Sequence, residues 1–211
     1  MKVVFIGAAG SGKSTLASRV YSELKQAGRR AEHVHEFVRY DIHANGPMTS
    51  IWEQYRTRQY QKELEDAVPN VADYVICDSG TLTPYFYAVM YADPTDPRQR
   101  LVLQDMYKYL LDDLYLQRYD MIFYLPVIGR ADITDGTRYQ TDSQIRVLDQ
   151  HMCLLFTKLH RLSNVYVVNS AFENRYDEVM WKILGVEKLT LTPRFDTMDL
   201  QTTQVSDLDY V

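Results

Sequence analysis

The sequence predicts an α/β domain in which a parallel sheet lies between two layers of helices. Five short runs rich in apolar and β-branched residues alternate with longer helical segments along the chain. These runs are apolar rather than alternating, which is typical of parallel strands that are covered on both faces. A length of 211 residues suits one such domain with a sizeable core. We therefore expect a three-layer sandwich around a five-stranded parallel sheet.

The spacing of apolar residues predicts the order of the elements. Strands are predicted at 2–6, 31–37, 73–77, 121–125 and 165–168. Helices are predicted at 14–27, 48–68, 83–91, 98–119, 143–162 and 176–184. The turn-rich stretch 128–143 is predicted to be a loop or a mobile lid. The domain is expected to span 1–188, and 189–211, which has little periodicity, is expected to be a tail.

The bulk composition excludes several classes of protein. A net charge of −5 argues against a surface that binds nucleic acid over its whole extent. Cys77 and Cys153 stand in apolar runs without the spacing of metal ligands, so we expect two reduced thiols. We expect no signal peptide, because a glycine-rich loop follows the short apolar run at 1–6, and no transmembrane helix, because no apolar run is long enough. We expect a soluble protein in a reducing cytoplasm.

A glycine-rich segment directly after the first strand predicts a phosphate site. Its sequence, GAAGSGKS from Gly7 to Ser14, matches G-x-x-x-x-G-K-[ST] at every fixed position and opens a helix. The backbone of such a P-loop wraps phosphate closely, Lys13 reaches the β- and γ-phosphates, and Ser14 binds Mg²⁺. The motif therefore predicts a P-loop NTPase that binds ATP and Mg²⁺. The candidate nucleotide ligands are Gly7, Gly10, Ser11, Gly12, Lys13, Ser14 and Thr15.

An acidic residue follows the third predicted strand. Asp78 comes directly after the apolar run DYVIC. Because ligands bind at the carboxyl ends of parallel strands, Asp78 is a candidate ligand of Mg²⁺, together with Ser14. The alternative is that Asp78 only caps the next helix. His33 and His35 have no third ligand placed by the sequence, so we expect no zinc site.

The second predicted strand ends in the sequence HEFVR. The same rule of topology puts Glu36 at the mouth of the cleft, where a carboxylate can accept the proton of an attacking hydroxyl. Arg39 follows one turn later and is a candidate for contact with a phosphate or with the acceptor substrate. The alternative is a surface ion pair between these two residues, which would contribute little.

The next predicted helix carries aromatic and amide side chains at helical spacing. Trp52, Tyr55 and Gln59 share a face with Glu63. These groups could stack on a planar base and form hydrogen bonds with its edge. The alternative is core packing with a polar rim.

Two arginines lie in the predicted lid, in the sequence RADITDGTR. Arginines on a closing loop offset charge on a transferred phosphoryl group and exclude water. Arg130 is therefore a candidate nucleotide ligand and Arg138 a candidate catalytic residue, aimed by the turn at Asp135-Gly136. The alternative is a solvated charged loop.

Several motifs together resemble the AAA_28-type P-loop kinases. They are GAAGSGKST, HEFVR, RQYQKELE, the DG-T-R of the late loop, and NRYDEV, over residues 1–185. That group includes the nicotinamide riboside kinase domain of bacterial NAD-regulator proteins and many phage proteins. The resemblance implies a strand order of 2-3-1-4-5, ATP-Mg²⁺ as donor and a nucleoside-like hydroxyl as acceptor. It also implies that Glu36 lies near the acceptor, Asp78 near metal or sugar, and Arg138 on phosphate.

One position departs from many relatives of this kind. Where thymidylate kinases carry Asp-Arg, this chain has Asp78-Ser79. The missing arginine favours an uncharged hydroxyl over a nucleoside monophosphate as the acceptor.

Three functions stay open at this point. The first is a kinase that acts on a free nucleoside or a similar small molecule. The second is a phage-type kinase acting on hydroxymethyluracil within DNA, since arginines facing one cleft could track the DNA backbone. Those arginines are 29, 30, 39, 56, 58, 130 and 138. The third is an ATP-binding regulatory switch with low turnover.

Overall fold

The computed structural model describes residues 1–128, 139–159, 162 and 164–187. Arg130, Arg138, most of the predicted lid and the predicted tail at 189–211 lie outside the described residues. The strands are β1 Lys2–Ile6, β2 Ala31–Val34, β3 Tyr74–Asp78, β4 Met121–Tyr124 and β5 Val165–Val167. The α-helices are α1 Lys13–Gln26, α2 Phe37–Asn45, α3 Ile51–Asp66, α4 Thr83–Tyr91, α5 Pro97–Tyr115, α6 Asp142–Leu159 and α7 Arg175–Glu187.

The five strands form one sheet in the order β2-β3-β1-β4-β5, and every pair is parallel. This confirms both the parallel sheet and the strand order that the resemblance implies. β1 lies at the centre, with Phe5 in register with Asp78 of β3 on one side and with Phe123 of β4 on the other. After β1 the chain passes to β2 on one side of the sheet, whereas after β3 it passes to β4 on the other side, so a crevice opens at the carboxyl ends of β1 and β3.

Helices cover both faces of the sheet, as predicted. On one face, Val3 and Phe5 of β1 pack in a cluster with residues of α1 and α7. On the other face, Val4 and Ile6 pack in a cluster with residues of α4, α5 and α6. All four β1 side chains are buried, which is why the sequence of β1 is apolar throughout instead of alternating.

The structure differs from the sequence prediction after β2. The predicted strand 31–37 ends at Val34, which pairs with Cys77, and Phe37 begins a helix that was not predicted. Glu36 is therefore the N-cap of α2 and not the end of a strand. α2 has no fully buried residue, so it lacks the apolar stripe by which a helix is recognised in a sequence. Gly46, at φ 88°, ends it.

The other helix boundaries shift by a few residues for local reasons. α3 begins at Ile51 because Ser50 and Glu53 form a capping box. α5 begins at Pro97, after Asp96 caps the backbone N–H of Arg98, and it ends earlier than predicted, at Tyr115. Among the described helices, none is both long and apolar enough to cross a membrane.

Candidate active site

The P-loop connects β1 to α1 at the centre of the sheet. Gly10 and Gly12 have φ values of 84° and 86°, which disfavour residues with side chains. A Cβ at Gly7 would lie 2.6 Å from the carbonyl oxygen of Leu125, and one at Gly12 would collide with the ring of Phe172. The glycines are therefore required both by the backbone conformation and by the close approach of neighbouring segments.

A buried arginine joins the P-loop to two other loops at the same edge of the sheet. Arg175, at the start of α7, donates hydrogen bonds to the carbonyl oxygens of Ser11 at 2.6 Å and Pro126 at 2.7 Å. It also donates to the carbonyl oxygen of Ser170 at 3.4 Å. No role was predicted for Arg175 from the sequence, although it lies within the motif NRYDEV, which contributed to the family resemblance. The bond to Ser11 crosses 164 positions of the chain, and no local pattern reveals such a contact.

Lys13, Ser14 and Asp78 lie together at the start of α1. Lys13 is only 7% exposed and lines the cavity described below. The Ser14 hydroxyl lies beside the carboxylate of Asp78, the last residue of β3, and favours its ionised form. The side chain of Asp78 contacts the P-loop, so this geometry differs from the alternative in which it only caps α4.

Burial raises the pKa of Asp78 from 3.8 to about 6. The negative charge of Glu36 is the next largest cause of the increase, and Lys13, the Ser14 hydroxyl and Arg39 act against it. Two carboxylates and two cations therefore interact within one small region. A divalent cation would offset the negative charge of Asp78 and so favour the ionised form of its carboxyl.

The residues at this point fit a hard cation. The Oδ1 atom of Asp78 is buried and has no hydrogen-bond partner in the described part of the chain. The Ser14 hydroxyl lies beside it, and oxygen ligands of this kind are those that Mg²⁺ prefers. Within the described ranges, no three His, Cys, Asp or Glu residues cluster as a metal cage. One carboxylate and one hydroxyl are a ligand set of the kind that Mg²⁺ uses, together with phosphate oxygens and water.

Glu36 is held by the turn that follows β3. The Ser79 hydroxyl donates to Glu36 Oε1 at 2.5 Å. Ser79 and Gly80 both have positive φ, 66° and 59°, so the chain turns sharply at the end of the strand. A Cβ at Gly80 would lie 2.7 Å from the hydroxyl of Tyr119, and therefore only glycine fits there. The sequence singled out Ser79 only as a departure from a family pattern.

One cavity of about 460 Å³ lies between the P-loop, α2, α3 and the turn after β3. This volume is within the usual range for small-molecule sites. Among the predicted site residues, those that line it are Gly10, Gly12, Lys13, Ser14, Thr15, Glu36 and Arg39. Gly7, Ser11 and Asp78 lie behind the lining, in contact with it.

The face of α3 that lines the cavity differs from the predicted one. Trp52 is 51% exposed, Gln59 is also exposed, and Tyr55 packs near Tyr109 of α5. None of these three candidates lines the cavity, whereas Gln54, Thr57 and Gln61 do. The buried side of α3 consists mostly of polar residues, so hydrophobicity did not indicate which face turns inward. The i, i+3, i+7 spacing of Gln54, Thr57 and Gln61 was the available signal.

Within the part of the chain that the structure describes, the arginines considered for DNA contact do not form one open groove. Arg30 pairs with Asp73 at 2.6 Å and Arg56 with Asp41 at 2.8 Å. Arg58 is buried and pairs with Asp113 at 2.9 Å. Among the arginines that the structure describes, only Arg39 lines the cavity. A basic track along this cleft is therefore absent from the described residues.

Solved structures with the same fold include several kinases. The NadR protein in complex with NR matches with a TM-score of 0.68 and 18% identity, over 89% of this chain and 50% of that one. Thymidylate kinase from Candida albicans has a TM-score of 0.59 and 15% identity, over 89% and 92% of the two chains. Deoxyadenosine kinase from M. mycoides with bound dATP has a TM-score of 0.52 and 17% identity, over 87% and 99%.

The chain spans about half the length of the NadR chains that it matches. No curated protein matches it in sequence. The model of the AAA_28 family, an AAA domain, matches residues 2–175 and so includes the P-loop, the β3 turn and Arg175. The P-loop kinase fold and this match agree with the resemblance seen in the motifs, and the chain belongs to the AAA_28 family.

Proposed function

We propose that the protein is an ATP-dependent phosphotransferase that moves the γ-phosphate to a hydroxyl of a nucleoside-like small molecule. The observation that carries this proposal is that Lys13 of the P-loop and Glu36 of the α2 N-cap line the same cavity. A phosphate site and a carboxylate that can accept a proton are the two parts that transfer to a hydroxyl requires.

The donor side consists of the P-loop and the buried acid of β3. The loop amides and the N-terminus of α1 bind the phosphates, and the ammonium of Lys13 offsets their charge. Ser14 and Asp78 are the residues that would hold Mg²⁺. When bound, Mg²⁺ offsets charge on the β- and γ-phosphate oxygens.

The acceptor side is organised around Glu36. Its carboxylate accepts the proton of the attacking hydroxyl, and the Ser79 hydroxyl orients it through the bond to Oε1. Half-burial in a small cavity limits the water that could compete with the acceptor.

The charges of the lining favour an uncharged acceptor. Lys13 and Arg39 are its cations among the described residues, and both also act on Asp78. The position after Asp78, where relatives of the thymidylate kinase type carry arginine, holds Ser79, which already bonds with Glu36. The phosphate of a nucleoside monophosphate near Glu36 would therefore be repelled by this carboxylate, and no cation at the position of Ser79 would offset the repulsion.

The experiment that tests the proposal is a screen for ADP release. The acceptors are nucleosides, nucleoside monophosphates, nicotinamide riboside, and DNA that contains hydroxymethyluracil. We expect ADP release that depends on a neutral nucleoside-like acceptor, and its loss in Lys13→Ala with the fold intact. Slow hydrolysis that no acceptor changes would favour a regulatory switch. Transfer to hydroxymethylated DNA, without transfer to the free nucleoside, would favour the DNA kinase.

A further inference from the structure

Gln54 is a buried amide that lines the cavity without a partner for its side chain. It lies on the inward face of α3 and is 4% exposed. In the part of the chain that the structure describes, its side chain forms no hydrogen bond. A buried amide in this state costs free energy unless something supplies the missing bonds. Its polar atoms open onto the cavity, where water supplies those bonds, and a ligand that displaces the water has to replace them.

The polar neighbours of Gln54 on the same face are already engaged. The Oε1 atom of Gln61 accepts the backbone N–H of Phe37 at 2.8 Å, which joins α3 to the start of α2. The hydroxyl of Thr57 donates to the sulfur of Met48 at 3.3 Å. These two side chains therefore hold the wall together, although Nε2 of Gln61 is buried without a partner in the described part of the chain. Gln54 differs from them in having both its donor and its acceptor unused.

The chemistry of an amide specifies the group that complements it. The side chain of glutamine presents a carbonyl oxygen and an NH₂ group side by side. Its best partner is a planar edge with a donor beside an acceptor, as in a lactam, an aminopyrimidine or a carboxamide. The lining also includes an apolar and aromatic part, formed by Val38, Ile42, Met48, Pro84 and Tyr87. Such a lining suits the faces of a flat ring.

We propose that the acceptor carries a flat, uncharged ring with an amide-like edge, which Gln54 recognises through a pair of hydrogen bonds. The inference rests on the proposed function, because it names the substrate class of the same cavity. It separates nucleosides from other hydroxyl acceptors of P-loop kinases: a free pentose, a polyol or a carboxylated carbocycle does not supply this edge. An aromatic riboside of the same shape without polar atoms in the ring also lacks it.

The test compares two classes of acceptor in the full chain. One class contains uridine, cytidine and inosine, and the other is a phenyl C-riboside, which has a ring of similar size without a polar edge. The ratio of kcat/KM between the best member of the first class and the phenyl riboside measures recognition of the edge. We expect a ratio of roughly tenfold to a thousandfold in the unaltered protein, since a site with buried polar groups rejects a ligand that leaves them unpaired.

Gln54→Met keeps the length of the side chain and removes both hydrogen-bonding groups. We expect its ratio to fall to near one, chiefly through slower turnover of the polar-edged acceptor. Gln59→Met is the matched control, because Gln59 lies on the same helix but is exposed. It should keep the original ratio. Loss of packing alone would lower kcat/KM for both acceptors and leave the ratio unchanged.

A second variant covers the case in which Gln54→Met does not fold. Gln54→Glu has nearly the same shape, retains an oxygen acceptor and loses the NH₂ donor, so it should also reduce the ratio. An unchanged ratio in the folded Gln54 variants would overturn the inference, as would an unaltered protein that uses both classes equally well. If the unaltered protein released no ADP with any acceptor, the proposed function would be wrong, and so would the inference that rests on it.

Discussion

Arg175 donates a hydrogen bond of 2.6 Å to the carbonyl oxygen of Ser11, which lies at the turn of the P-loop. The same guanidinium donates to the carbonyl oxygen of Pro126, which follows β4. One rigid, planar group thus fixes the position of the P-loop relative to the loop that follows β4. The shape of the phosphate site therefore depends on a residue that lies outside the P-loop motif.

Replacing this arginine should weaken nucleotide binding. Lysine has a single ammonium on a flexible chain and cannot reach both carbonyls in the geometry of the fork. We expect Arg175→Lys to raise the Kd for ATP roughly tenfold, since small displacements of positioning groups have effects of this size or larger. The KM of the acceptor should change little. Calorimetric titration with ATP, well below the melting temperature, measures the effect.

Arg98→Met is the control for this prediction, because Arg98 is an exposed arginine that pairs with Asp96 at the start of α5. It should leave the affinity for ATP unchanged. Full affinity for ATP in Arg175→Lys would mean that the P-loop keeps its shape without the fork.

Two substitutions of Ser79 separate the effect of its hydroxyl on turnover from the effect of its backbone conformation on stability. Ser79→Ala and Ser79→Gly both remove the donor to Glu36, so both should lower turnover by a similar factor of several-fold. Only glycine relieves the positive φ of 66°. The glycine variant should therefore be more stable than the alanine variant by about 1 kcal/mol. Urea unfolding measures the stability of the variants, and acceptor-dependent ADP release measures their turnover. Normal turnover in the glycine variant would show that the hydroxyl has no role in it.

Glu36→Gln tests the proposed general base. We expect a loss of turnover of roughly 100-fold, a usual contribution for this role. The affinity for ATP should change little, because Glu36 belongs to the acceptor side. Glu32→Gln is the matched control, since Glu32 is an exposed glutamate of the same β2 segment. Normal turnover together with weak binding of ATP would instead assign Glu36 to the donor side.

The sequence predicted those parts of the molecule that local patterns determine. The sequence pattern located all five strands, most plainly β1, β3 and β4, which are almost fully buried, and the P-loop motif located the phosphate site. Patterns of hydrophobicity failed where burial is polar or slight. α2 has no buried residue and was missed, and the inward face of α3 carries Gln54 and Gln61 in place of apolar residues.

Contacts between distant segments could not be predicted from the sequence either. The bond between Arg175 and Ser11 depends on how α7 lies against the P-loop, which in turn depends on the closed fold. The bond between Ser79 and Glu36 spans 43 positions and requires the ends of β2 and β3 to be neighbours. The strand order implied that neighbourhood, but no rule of spacing assigned Ser79 as the donor.

Asp78 predicts an unusual dependence of stability on pH when metal and nucleotide are absent. Its pKa is about 6 in the folded protein against 3.8 as the ordinary value, chiefly because the carboxyl is buried. The folded state therefore binds the proton more tightly than the unfolded state does. Between about pH 4 and pH 6 the folded state carries more protons, so the free energy of unfolding falls as pH rises through that window. Above it, the ionised carboxylate destabilises the fold at its full cost.

Asp78→Asn removes that cost, because asparagine is neutral at every pH and keeps an oxygen beside the Ser14 hydroxyl. We expect the variant to be more stable than the unaltered protein above pH 6, by on the order of 2 kcal/mol, and equally stable near pH 4. Urea unfolding in the presence of a chelator, at intervals from pH 4 to pH 8, measures the difference. With Mg²⁺ and ATP at pH 8 the order should reverse, since only the carboxylate gains from the cation. A variant that followed the unaltered protein at every pH would show that Asp78 is not held in a buried, unfavourable charged state.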